Sequence, residues 1–169
     1  VKPGEDKGGW LFLKGEALRG LGLFNQALKE YAAARKASKG DWELELEVLL
    51  SEARCNRALG NNKAAVESAK KALSLSKRLD LYVEEAELEW ALVLRLAGKL
   101  PEAAKLLEKL LKGYKKAGDR PGAAFALWAL GGLYRLQGRY IDGIAAFEDS
   151  LKFARLDKDE AASGYALFG

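Results

Sequence analysis

Residues 126–151 read ALWALGGLYRLQGRYIDGIAAFEDSL, and this stretch decides the fold. Apolar residues recur at helical spacing on both sides of Gly138. They are Leu127, Leu130 and Tyr134 before the glycine, and Ile144, Phe147 and Leu151 after it. A glycine between two such segments favours a tight turn, because it adopts backbone conformations that other residues avoid. The stretch therefore predicts a helix, a turn and a second helix.

The same pattern recurs upstream at a nearly fixed period. The turn glycines are Gly22, Gly60, Gly98 and Gly138, which are 38, 38 and 40 residues apart. Small residues precede each glycine by seven positions, at Gly15, Ala53, Ala91 and Gly131, and follow it by five, at Ala27, Ala65, Ala103 and Gly143. Small side chains let two helix backbones approach closely, while larger residues such as Tyr31 and Phe147 fill the space between them. A period of this length indicates a repeat protein.

The fourth unit carries a family signature. Leu130, Gly131, Tyr134, Gly138, Tyr140 and Phe147 fall where the tetratricopeptide-repeat family expects them, and the chain resembles such an array over nearly all of its length. It departs from the pattern at Gly143, where alanine is usual, at Asn56, Asn62 and Ala69, where large residues are usual, and in lacking the proline after the second helix. The period exceeds the common one by roughly one helical turn. The longer-period branch of this family includes interaction scaffolds and regulator sensor domains.

The resemblance implies an all-α fold, namely a right-handed α-solenoid of antiparallel helix pairs. We expect a single array with repeats at about 9–40, 41–79, 80–118 and 119–156. Residues 162–169 align with residues 124–131, so residues 157–169 are expected to begin a fifth repeat. We therefore expect four hairpins plus the start of a fifth, in a fragment of a longer protein.

Capping residues predict where the helices begin and end. We predict helices over 9–21, 25–38, 42–59 and from 62 to about 78, with Asn61 and Asn62 as turn and cap. Asp41, Asp80 and Asp119 are expected to cap the first helices of the later pairs, since aspartate accepts from free amides. Pro101 and Pro121 fit first turns, where a missing N–H costs little. Residues 43–48 alternate like a strand, but the repeat register predicts a helix there.

The composition of the chain predicts a folded protein without a membrane-spanning segment. With 49% hydrophobic and 31% charged residues in 169, the chain is typical of a folded protein. It has no apolar run that could span a bilayer and no signal-peptide pattern, so we expect a cytoplasmic protein with no membrane contact. Glutamates gather at predicted helix starts and lysines and arginines at helix ends, where the helix dipole favours them. The net charge of +4 is thus a weak argument for nucleic-acid binding.

The chain lacks the residues of common active sites. It has no histidine and one cysteine, so Ser/His and Cys/His pairs and histidine or thiolate metal sites are ruled out. Cys55 falls within a predicted helix, and we expect a buried, inert thiol. We therefore predict no enzyme activity, no cofactor and no metal.

A second stripe on the first helix of each pair predicts a binding groove. Its members lie ten, six and three residues before each turn glycine, on one helical face. They are Phe12, Glu16 and Arg19, then Leu50, Arg54 and Arg57, then Leu88, Leu92 and Arg95, then Trp128, Gly132 and Arg135. In the family that this chain resembles, these first helices line the concave face. An arginine row beside an apolar row predicts a partner peptide or helix with acidic and apolar residues. Alternatively, the arginines pair with glutamates of the next repeat, and Trp128 belongs to the core.

The leading functional prediction is therefore a protein-interaction scaffold. The family's clamp for a C-terminal carboxylate is not expected, because this chain has Phe12, Glu16, Ser51, Glu85 and Glu89 where that clamp uses lysine and asparagine. The alternative is a self-associating module of a larger regulatory protein, joined through an open apolar edge at Tyr165, Leu167 and Phe168. Nucleic-acid binding is disfavoured because Leu50 and Leu88 do not suit a base-reading surface.

Overall fold

The computed structural model describes residues 6–156, and all regular structure in this range is α-helical. The helices are α1 (Lys7–Gly20), α2 (Phe24–Ala37), α3 (Trp42–Ala58), α4 (Asn62–Leu79), α5 (Val83–Leu96), α6 (Leu100–Ala117), α7 (Arg120–Leu136) and α8 (Tyr140–Leu156). The predicted all-α fold of paired helices is confirmed. The predicted fifth repeat and the apolar edge at Tyr165, Leu167 and Phe168 lie outside the described residues.

The contacts divide the chain between Val93 and Leu94, within α5, into two compact units. In the first unit α1 packs on α2, α3 packs on α4, and α3 also contacts α1 and α2. In the second unit α7 packs on both α6 and α8.

The turn glycines have the conformation that the repeat pattern requires. Gly22, Gly60, Gly98 and Gly138 have φ values between +74° and +75°, in the left-handed region. A residue with a Cβ adopts this region at a cost of roughly 1–2 kcal/mol, which explains the choice of glycine at every one of these turns. The four predicted turns are confirmed.

Caps and first-turn prolines agree with the sequence at four sites, one of which is Pro121 in the first turn of α7, and differ at two. Asp41 accepts from the amide of Leu44 and Asp119 from that of Gly122, and Pro101 lies in the first turn of α6. Asn61 precedes α4 but makes no side-chain cap, and its side-chain Nδ2 donates to Asn56 Oδ1 at 3.4 Å. The predicted role of Asp80 is wrong. Asp80 ends α4 in the left-handed conformation (φ +55°), which aspartate tolerates, and α5 begins only at Val83.

Helix α3 explains the strand-like alternation at residues 43–48. Its apolar residues at positions 44–50 enter two different buried clusters. One cluster contains Ala27, Tyr31, Ala34, Leu44, Val48 and Cys55, and the other contains Leu46, Leu49, Leu50, Ala72, Leu75 and Ala86. A helix that is covered on two sides needs apolar residues on both, so a single amphipathic stripe is absent from its sequence. Cys55 is buried, as predicted.

Two helix crossings depend on glycine. A Cβ added to Gly15 in α1 would overlap the ring of Tyr31 in α2. A Cβ added to Gly131 in α7 would lie 2.7–2.9 Å from three ring atoms of Phe147 in α8, and one added to Gly143 would lie 3.2 Å from the Gly131 carbonyl oxygen. These predicted close approaches are confirmed. Within residues 6–156, every helix is too short or too polar to cross a lipid bilayer.

Candidate functional site

The predicted arginine row is engaged in ion pairs in the first unit. The guanidinium of Arg19 donates to both carboxylate oxygens of Glu16, at 2.7 and 3.2 Å. Arg57 donates through Nε and Nη2 to the buried Glu89 of α5, at 2.9 and 3.4 Å, and Arg54 lies 3.9 Å from the same carboxylate. The alternative interpretation, pairing with a glutamate of the next repeat, therefore holds for Arg57. Arg19 pairs within its own helix.

Glu16 is the centre of a polar network that joins α1, α2 and α3. Its carboxylate accepts from the Tyr31 hydroxyl at 2.6 Å and the Ser51 hydroxyl at 2.7 Å, besides Arg19. Burial acts to raise the pKa of Glu16, but these hydrogen bonds outweigh it and lower the pKa to about 2. Burial also raises the pKa of the nearby Cys55 thiol to about 11, which leaves little reactive thiolate at neutral pH. The network is a structural feature in which the Glu16 carboxylate already accepts from three side chains.

The predicted apolar row is only partly accessible. Leu50 and Leu92 are 5% and 2% exposed, so these two side chains are core residues and cannot line an open groove. Leu50 packs in the cluster between α3 and α4, as the two-sided burial of α3 requires. Phe12, Leu88 and Trp128 are half-buried. Phe12 lies against Tyr31, with ring centroids 5.9 Å apart, and Trp128 lies against Phe125 at 5.3 Å.

The last stripe residues belong to the second unit. Arg95 places Nη1 against α7, 3.0 Å from where a Cβ of Gly132 would lie. Gly132 itself is buried, and Arg135 at the end of α7 is exposed. The absence of a side chain at Gly132 thus makes room for the Arg95 guanidinium.

An open groove between α1 and α3 was not predicted from the sequence. It has a volume of about 730 Å³ and is lined by Asp6, Lys7, Gly9, Trp10, Phe12 and Leu13 from the start of the chain and by Asp41, Glu43, Leu44 and Glu47 from the start of α3. Trp10 and Leu13 are 62% and 66% exposed, so the groove presents two large apolar side chains to solvent. We call this feature the α1/α3 groove. Phe12 is the one residue that it shares with the predicted stripe.

The α1/α3 groove is negatively charged. The pKa of Glu47 is raised, mainly by burial. The neighbouring carboxylates of Glu43, Asp41 and Glu16 raise it further. Sequence reasoning attributed Glu43 and Glu47 to the favourable dipole at a helix start. Their spacing of four residues, which places both on one face of α3, was the signal that could have revealed a shared surface.

A smaller groove in the second unit has a different character. It measures about 420 Å³ and lies among α6, α7 and α8. The Tyr134 hydroxyl donates to Glu108 at 3.2 Å, and Arg139 lies 4.2 Å from the Tyr134 ring while pairing with Asp142 at 2.8 Å. Its central charged groups are thus matched internally, which makes it the weaker candidate for a binding site.

Comparisons with known proteins agree with this architecture. The family model for the tetratricopeptide repeat matches residues 82–155. Residues 82–155 are tetratricopeptide repeats. No curated protein matches the chain at the level of sequence.

Solved structures with tetratricopeptide-like architecture extend the likeness to nearly the whole chain. A Rap protein complexed with Competence and Sporulation Factor superimposes with a TM-score of 0.83 at 16% identity, covering 94% of this chain and 45% of that chain. MamA gives 0.60 at 18% identity, covering 93% and 84%, and BtubC from P. vanneervenii gives 0.62 at 15%, covering 91% and 74%. The tetratricopeptide-repeat fold is therefore shared, and the chain spans less than half the length of the Rap chain.

Proposed function

We propose that this chain is a protein-interaction scaffold that binds a peptide or helix of a partner protein in the α1/α3 groove. The observation that carries the proposal is the groove itself, where Trp10 and Leu13 expose most of their surface beside the half-buried Phe12. Large apolar side chains in an open cleft supply most of the affinity of a typical peptide site. The tetratricopeptide-repeat fold and the Rap protein, whose structure contains a bound factor, support a binding role.

Two further residues of the predicted stripe in the first unit are compatible with an extension of this site. Arg54 and Leu88 are half-buried, so each retains surface for a partner. Leu50 and Leu92 are core residues and do not belong to the proposed contact surface. The proposed site therefore rests on the α1/α3 groove, with Arg54 and Leu88 as secondary contacts.

Peptide selection tests the proposal even while the natural partner is unidentified. An unbiased library of displayed peptides is selected on the folded chain, and the affinity of an enriched peptide is measured by titration calorimetry. Removing both exposed side chains with Trp10→Ala/Leu13→Ala should weaken binding by roughly 30-fold, since central aromatic contacts contribute about 2 kcal/mol or more.

The control is a pair of equally exposed apolar residues in the second unit. Tyr140 and Ile141 of α8 are 65% and 85% exposed, and Tyr140→Ala/Ile141→Ala should leave the affinity unchanged. Circular dichroism confirms that each variant retains its helices. Enrichment of no peptide, or equal binding by both double variants, would reject the proposed function at this site.

A further inference from the structure

Most glutamates of the first unit that lie outside the α1/α3 groove are paired with a cation. Glu16 pairs with Arg19, Glu45 and Glu52 both pair with Arg35, and Glu89 pairs with Arg57. Glu43 and Glu47 make no hydrogen bond or ion pair with any residue in the range 6–156. The two glutamates that face the groove therefore have no paired cation among residues 6–156, as is also the case for Glu84 and Glu85 at the start of α5.

The remaining charges around the groove do not offset them. Asp6 and Asp41 also line it, each accepting from a backbone amide at a helix start, and within residues 6–156 Lys7 is the single cation that lines it. The negative field extends to Tyr82 at the start of α5. The pKa of the Tyr82 hydroxyl is raised, chiefly by the negative charge of Glu47. Burial and the charges of Glu43 and Glu85 raise it further. A cation placed in the groove would therefore meet favourable potential from several carboxylates at once.

We propose that the α1/α3 groove recognises a partner segment in which a lysine or arginine neighbours an apolar side chain. The cation contacts Glu43 and Glu47, and the apolar side chain lies against Trp10, Phe12 and Leu13. This inference rests on the proposed function and assigns the chemistry of its ligand. It reverses the charge expected from the arginine row, because Arg19 and Arg57 are already held by Glu16 and Glu89.

The overall charge of the chain does not by itself favour a basic ligand. With a net charge of +4, the protein as a whole repels a cationic peptide. Preference for a basic ligand must then come from local carboxylates and not from general attraction. Acidic peptides would be drawn to the protein at long range but would meet like charges in the groove.

The test compares two fluorescent peptides that differ only in the sign of their charge. One alternates leucine with lysine and arginine, the other alternates leucine with glutamate, and both are blocked at their ends. Fluorescence anisotropy should show that the basic peptide binds at least about tenfold more tightly, with an advantage that shrinks at high salt. Equal affinities, or tighter binding of the acidic peptide, would overturn the inference.

Matched variants separate local recognition from a change in net charge. Glu43→Gln/Glu47→Gln should weaken the basic peptide about tenfold, because it removes both unpaired carboxylates from the groove. Glu67→Gln/Glu102→Gln changes the net charge equally, at exposed positions paired with Lys71 and Lys99, and should have no effect. Equal weakening by the two double variants would overturn local recognition.

Chemical-shift mapping by NMR then places the peptide. Shifts confined to amides of residues 9–13 and 43–47 support the proposal, and shifts elsewhere overturn it. Shifts at these same amides that depend on protein concentration without peptide would assign the groove to a second copy of the chain, which also overturns it. If the displayed library yields peptides that need Trp10 but are acidic or insensitive to Glu43→Gln/Glu47→Gln, this inference fails while the scaffold function stands. If no peptide binds, both fail.

Discussion

The first and last hairpins pack their two helices in the same way but differ in their polar contacts. In α1/α2 a glycine, Gly15, faces the ring of Tyr31, and in α7/α8 the corresponding Gly131 faces Phe147. The first hairpin adds a charged network, because the Tyr31 hydroxyl donates to Glu16. At the position that corresponds to Glu16 the last hairpin has Gly132, beside which the Arg95 guanidinium lies.

This comparison distinguishes the helix crossing, which the fold requires, from the polar contacts, which an individual repeat can add. The small-against-aromatic crossing sets the distance between the two backbones, so it recurs in both hairpins. The polar contacts are additional to this crossing and differ between the two hairpins. In the last hairpin a buried polar contact instead joins the Ser150 hydroxyl of α8 to the backbone of α7, at the Ala124 carbonyl oxygen 2.7 Å away. Mutations at the crossing should therefore affect either hairpin, and mutations in the network only the first.

The largest effect is expected at the crossing itself. Gly131→Val places a branched side chain where even a Cβ would lie 2.7–2.9 Å from the Phe147 ring. We expect the free energy of unfolding to fall by about 3 kcal/mol, the upper end of typical overpacking costs, as measured by urea denaturation. The control is Gly113→Val in α6, where an added Cβ meets nothing within 4 Å and the change should be close to neutral. Equal stabilities for the two variants would show that the crossing does not need glycine.

A smaller effect is expected from the hydroxyl that distinguishes the two aromatic residues. Tyr31→Phe gives the first hairpin the ring of the last and removes one hydrogen bond to the Glu16 carboxylate. Bonds to charged groups contribute about 1.5–3 kcal/mol, so we expect a loss of about 2 kcal/mol. Tyr140→Phe, at an exposed tyrosine of α8, should change stability little. A cost no greater than that of the control would mean that the network adds no stability to the fold.

A further effect concerns the dependence of stability on pH. The pKa of Glu16 is about 2 in the folded chain, below its ordinary value of 4.5. Its contribution to stability is therefore present above pH 4.5 and is lost as the pH falls from 4.5 towards 2. The stability difference between the wild type and Glu16→Gln, measured by urea denaturation at several pH values, should shrink across this window. A difference that stays constant would contradict the lowered pKa of Glu16.

The sequence alone was sufficient to predict the features that depend on backbone geometry. The turn glycines and the small residues at Gly15 and Gly131 are fixed by conformational and steric requirements, which act on the residue at that position. The cap at Asp80 was predicted wrongly because aspartate suits both a helix start and a left-handed helix end. Local pattern alone does not distinguish the two roles.

The candidate site was less accessible to sequence reasoning, because it depends on contacts between distant residues. Arg57 and Glu89 pair across 32 positions, so the engagement of the arginine could be offered only as an alternative. Leu50 is buried because α3 is covered on two sides, which a single-helix pattern does not report. The α1/α3 groove needs the starts of two helices to be placed side by side before its carboxylates form one surface.

The helix contacts of residues 6–156 have a consequence for how the chain folds. Helix α1 contacts α2 and α3, and α7 contacts α6 and α8, so packed helices are neighbours or next neighbours along the sequence. Contacts of this kind close short loops, and proteins dominated by them typically fold in about microseconds to milliseconds. No single hairpin has to form first, since each can nucleate helix pairing with the next. Folding of this chain should therefore be able to start at several points and spread outward.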